Sequence, residues 1–169
     1  MRRDPIPVVE GLEGRRLLTA ARPAVPMVHA AVVTPLVLTG TLAANAKAAT
    51  ITADQYGDRV VAVPVAGVLG NVGRVRGTWT ATTDPYGNRY GPNTLALKDA
   101  QGTFTVTFDP SRPTKGFKAT TKAASAPFAQ HVHGGTKGHA HATEAGLIVL
   151  NKDAAGKVVR GMTLTSDGG

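Results

Sequence analysis

"GTFTVTF", Gly102 to Phe108, is the stretch on which the fold turns. In an extended chain successive side chains point to opposite faces. Phe104, Val106 and Phe108 then share one face, and Thr103, Thr105 and Thr107 share the other. A helix would scatter both sets around its axis, whereas a strand sorts them into a dry face and a wet one. "RVRGTWT", Arg74 to Thr80, sorts in the same way, with Arg74, Arg76 and Thr78 opposite Val75, Gly77 and Trp79. After Leu36 no window of about 12 residues keeps the i, i+3, i+4 apolar stripe of an amphipathic helix.

The same alternation places candidate strands at 36–43, 49–53, 59–67, 72–82, 94–98, 102–109, 116–122, 128–133, 139–143, 146–150 and 157–165. Turn signals separate them. "DQYGDR" from Asp54, "DPYGNR" from Asp84, "KDAQG" from Lys98 and "KDAAG" from Lys152 all contain Asp-x-x-Gly. An Asp side chain can accept from backbone N–H groups two or three residues on, and the Gly supplies the left-handed conformation that closes a tight turn. A calcium site would need several oxygens converging on one loop; each of these turns offers one or two carboxylates. Short strands alternating with such turns predict an all-β, antiparallel fold of about eight to ten strands. Consecutive hairpins favour a barrel, with a sandwich as the alternative.

The 169-residue chain has room for one domain plus a tail. It has no Cys, which excludes disulfides, thiolate metal sites and Cys nucleophiles. Its formal charge is +8, spread along the strands rather than gathered in a block. A basic surface suits contact with polyanions such as nucleic acid or acidic polysaccharide, although simple solubility is the plainer reading of so scattered a charge. No phosphate-cradling Gly-rich loop, nucleophile elbow or paired-Glu arrangement follows the tail. Tyr56, Tyr86, Tyr90 and Trp79, near Arg59, Arg89, Arg74 and Arg76, offer a stacking surface for sugars or single strands, but Trp79 reads as core and the tyrosines as cover for hairpin ends.

Residues 1–33 differ from the rest and read as a non-core leader, with the β domain at 34–169. An apolar run with small-x-small cleavage options in "ANAKA" fits a signal peptide; "LVLTGTLAA" also fits a first strand. The run is too short and too broken by Pro26 and Pro35 to span a membrane as a helix. "VVEGLEGRRLLTA" resembles the LExRxLL-type N-terminal motif of bacterial exported and surface proteins, whose chains often continue into Thr/Gly/Val-rich β domains. That resemblance implies a secreted or cell-surface location, with envelope polysaccharide or another surface protein as partner.

"HVHGGTKGHAHATE", His131 to Glu144, carries the chain's most suggestive chemistry. With "GGTKG" (134–138) as a five-residue loop, His133 faces His139 and His131 faces His141. All four imidazoles would then project from one face, and opposed Cβ atoms lie about 5 Å apart. Neutral imidazoles suit Zn, Cu or Ni. Val132, Ala140 and Ala142 occupy the other face, so the histidines would point to solvent, a poor setting for catalysis. "HVHGG" resembles the His-x-His-Gly segment of CHRD-type and superoxide-dismutase-like domains, and "HAHATE" resembles the cupin His-x-His…Glu core, although Glu144 falls one residue early; neither carries a catalytic residue across. Three readings result. The first is a non-enzymatic extracellular or envelope β domain with a structural or binding role. The second is a metal-binding protein using His131, His133, His139 and His141, or a metalloenzyme built on them. The third is a basic polyanion binder without nucleic-acid specificity.

Overall fold

The computed structural model describes residues 36–167 apart from 117, 119 and 120. The leader at 1–33 and the LExRxLL-like motif lie outside the described residues, whereas the cleavage options in "ANAKA" (44–48) lie within them. Nine strands form one antiparallel sheet: β1 (Gly40–Ala44), β2 (Thr50–Ala53), β3 (Arg59–Leu69), β4 (Gly73–Thr83), β5 (Arg89–Lys98), β6 (Gly102–Pro113), β7 (Phe128–Lys137), β8 (Glu144–Lys152) and β9 (Val159–Ser166). Each strand from β3 to β9 pairs with its sequence neighbour, and β1 pairs with both β9 and β3. The sheet therefore closes on itself as an eight-stranded up-and-down barrel, with β2 as an extra strand. The expected barrel is the fold that forms, and the sandwich alternative falls because β1 leaves no open edge between β9 and β3.

β1 and β2 are two pieces of one interrupted strand. Both run antiparallel to β3, β1 along Val65–Leu69 and β2 along Arg59–Ala62. A single 3-10 turn, Ala46–Ala48, separates them. Pro64 lies opposite this break, where its carbonyl accepts from the Asn45 N–H at 2.9 Å. In an antiparallel ladder a residue's N–H and C=O point the same way, so the donor that Pro lacks is missing on the side where the neighbouring strand is broken. At the seam itself a Cβ on Gly67 would meet the Thr41 carbonyl at 2.1 Å. The glycine lets β1 and β3 approach there, and larger residues would hold the seam open.

The inward faces fill the barrel. Leu42, Leu95, Phe104, Val106, Ile148, Met162 and Leu164 are all sealed from solvent. An eight-stranded barrel is just wide enough for side chains to fill it. Phe104, Val106 and Phe108 point in while Thr103, Thr105 and Thr107 remain half-buried on the wall, as the alternation in "GTFTVTF" requires. Trp79 is core, and its indole N–H donates to the buried Asn93 Oδ1 at 2.8 Å.

Two expected strands do not form. In 116–122 Gly116, Thr121 and Lys122 lie in turns or bends, and Lys118 lies outside any strand. In 139–143, His139 to His141 form a turn followed by two residues outside any strand. The reason for the second lies in β7, which stays paired with β6 as far as Gly102↔Lys137 instead of turning at Gly134. "GGTK" is a bulged strand end, with the register shifting between Thr103 and Thr105. A Cβ on Gly135 would lie 1.9 Å from the Thr103 carbonyl, so the glycine serves close strand approach rather than chain reversal.

Candidate functional site

The Asp-x-x-Gly segments are turns. Asp54 Oδ1 accepts from the Tyr56 and Asp58 N–H groups at 2.8 and 3.0 Å. Asp84 Oδ1 accepts from Tyr86 and Asn88 at 3.0 and 2.7 Å. Asp153 accepts from the Lys157 N–H at 2.8 Å. Gly57, Gly87 and Gly156 follow with φ of 85°, 87° and 72°. These three hairpins gather at one end of the barrel. The Asn88 side chain leads the backbone donors that hold Asp84 below its ordinary value. The Tyr90 hydroxyl donates to Asp58, which pushes its pKa to about 12. Tyr56 and Tyr86 do not cover the hairpin ends as expected: they are 77% and 90% exposed at the tips.

The four histidines separate. His131 and His133 stand two apart on the outer face of β7, opposite Thr107 and Thr105. The His133 Nε2 lies 3.1 Å from the Thr107 hydroxyl. His141 is exposed in the turn beyond. His139 points the other way: its side chain is 2% exposed and its Nε2 lies 2.9 Å from Asp99 Oδ2. The facing pairs His133–His139 and His131–His141 do not form, because β8 meets β7 only from Val132↔Glu144 downward. Among the described residues no group of three or more His, Asp or Glu side chains is placed to hold a metal ion.

The buried pair that replaces the expected cluster is structural chemistry. A carboxylate only accepts, so the imidazole Nε2–H donates. Burial raises the Asp99 pKa, but the bond from His139 and backbone N–H groups of Gly102 and Gln101 outweigh it and hold Asp99 below its ordinary value. Phe104 meets the His139 ring edge-on at 5.1 Å. The pair ties the β5–β6 turn to the excursion between β7 and β8. Asp99 and His139 lie 40 residues apart, and nothing local announces their meeting.

The site that sequence reading did not assemble lies on the outer wall. Arg76 sits directly opposite Lys98 across β4 and β5. Arg74 is two residues along the same face, opposite Val68 of β3, which is 58% exposed. Two surface hollows meet at Arg76 and Lys98. One, about 810 Å³, is lined by Ala43, Pro64, Ala66, Thr78 and these two cations. The other, about 340 Å³, adds Arg74 and Asp99. Asp99 is turned inward to His139, so its carboxylate is spent. Among the described residues none of the three cations forms an ion pair or a side-chain hydrogen bond. The trough floor is Ala, Gly and Pro, with no aromatic ring. Beyond it the wall continues in half-buried threonines: Thr80 faces Thr94, Thr94 faces Thr107, and Thr107 faces His131.

The signal for half of this site was present. "RVR" in an alternating strand puts Arg74 and Arg76 on one face. Lys98 could not be placed, because the ladder slips between Thr80 and Thr82. Carrying the register of Thr83↔Arg89 down the hairpin would set Arg76 opposite Ala96; the two extra residues on β5 bring Lys98 there instead.

No family model, curated protein or solved structure matches the chain. Among the described residues no helix is long and apolar enough to cross a membrane.

Proposed function

We propose that this is a non-enzymatic binding domain of the cell surface or secreted space, and that its wall trough takes an acidic polysaccharide. The observation that carries the reading is the Arg76–Lys98 pair. Like charges directly opposite one another in a sheet destabilise it, and among the described residues no carboxylate forms an ion pair with either cation. An arrangement that costs stability and is left unneutralised suits a polyanion that supplies the missing charge. The open trough admits a chain rather than a compact ligand. Threonine hydroxyls beside it can donate to and accept from sugar hydroxyls. The floor has no ring on which a base could stack, which favours polysaccharide over single-stranded nucleic acid. The extracellular placement is supported by the LExRxLL-like resemblance of the leader.

The test is binding of the full chain to labelled polygalacturonate and heparin, with duplex DNA alongside, across a salt series. Affinity should fall steeply with salt, as counterion release requires. It should drop at least about tenfold in Arg76→Ala plus Lys98→Ala. Binding unaffected by the double substitution would refute the trough. A preference for DNA would refute the polysaccharide.

A further inference from the structure

The three Asp-x-x-Gly hairpins surround one mouth of the barrel, and a cavity of about 240 Å³ opens there, away from the wall trough. Val61, Val63, Trp79 and Val159 give it an apolar lining, while Arg89 and Lys157 are its cations. Arg89 belongs to the inward face: it pairs with Thr83, which shares the parity of Trp79 and Ala81 on β4. Its guanidinium carbon stands 5.1 Å from the Trp79 ring centroid. Burial lowers its pKa. Trp79 is held in orientation by Asn93.

Neither cation has an ion-pair partner among the described residues. Acids are present at this end, but they are engaged. The carboxylates of Asp54, Asp84 and Asp153 accept from their own turns' backbone N–H groups. Asp58 accepts from Tyr90. The mouth therefore combines an apolar wall, a fixed indole and two cations that form no ion pair among the described residues. That pairing of properties matches a ligand with an apolar body and an anionic end. The planar guanidinium fork fits a carboxylate with two parallel N–H···O bonds. The volume lies below the usual range of drug-sized pockets, roughly 300–1,000 Å³, so the body is short.

We propose that the barrel mouth binds a small amphiphilic carboxylate, with its apolar body against Trp79, Val63 and Val159 and its carboxylate on Arg89 and Lys157. This site is independent of the wall trough and of the polysaccharide reading.

Trp79 is the sole tryptophan, so its fluorescence reports the cavity directly. The full chain is titrated with hexanoate, benzoate, acetate and hexanol. Hexanoate and benzoate should change the emission saturably. Acetate, which has no body, and hexanol, which has no charge, should bind at least about tenfold more weakly. Arg89→Gln and Lys157→Gln should each weaken hexanoate at least about tenfold while far-ultraviolet circular dichroism stays unchanged. Lys157 is exposed at the mouth, whereas Arg89 lies against the Trp79 ring; if the Arg89 variant fails to fold, the Lys157 variant carries the test. An unsaturated response to hexanoate, equal binding of hexanol, or unchanged affinity in a folded variant would overturn the site.

Discussion

His139 and Asp99 show most clearly how one residue pair sets behaviour. Removing the donor from a buried, hydrogen-bonded carboxylate leaves that charge without its partner. His139→Ala should lower unfolding stability by about 3 kcal/mol, read from urea denaturation. The pH dependence follows from the direction of the Asp99 shift. Its folded-state pKa lies below its ordinary value, so its contribution is present above that ordinary value and is lost as pH falls through the folded one. Wild type should therefore lose stability in acid more steeply than Asp99→Asn does. Glu144 behaves oppositely. Burial raises its pKa, partly offset by bonds to Ser166 and to the Leu38 N–H. Its charged form is disfavoured in the fold, and protonation relieves that cost as pH falls through the raised value. Glu144→Gln should raise the melting temperature at neutral pH, with the gain shrinking as pH drops toward the ordinary carboxylate range. A loss at neutral pH would contradict this account of Glu144.

At the scale of elements, turns and alternation were the legible part. The Asp-x-x-Gly repeat names its own hydrogen bonds, because an Asp side chain reaches only its near neighbours along the chain. Asp84→Ala should lower the melting temperature slightly, as loss of a side-chain acceptor for turn N–H groups does. Gly87→Val should cost more, since φ there is 87° and a β-branched residue resists it; thermal melts of both variants check the order. The histidine hairpin was misread at this same scale. Two glycines in a row look like a reversal, but in β7 they accommodate a bulge against β6. Glycine marks close approach as often as it marks a turn, and only the partner strand distinguishes the two. The β7 ladder leaves His131 and His133 outside, while the turn beyond it carries His139 inward to Asp99.

For the whole molecule, closure was legible only as a tendency. Consecutive hairpins predict a meander; that β1 returns between β9 and β3 is a contact across 120 residues or so, as in Leu42↔Met162. The glycine at position 67 is the local trace of that closure. Gly67→Val should open the seam and destabilise by several kcal/mol, or prevent folding outright, as seen by loss of the cooperative melt. The trough is likewise a product of closure and of the slipped β4–β5 ladder, and for that reason charge counting along the chain saw only scattered cations. The central claim is that Arg76 and Lys98 oppose each other for the sake of a polyanion and against the interest of the sheet. Lys98→Glu tests both halves in one protein. Replacing repulsion with a cross-strand attraction should raise stability by about 0.5 kcal/mol, while affinity for polygalacturonate should fall at least about tenfold. A variant that is less stable than wild type, or that still binds as tightly, would contradict the account.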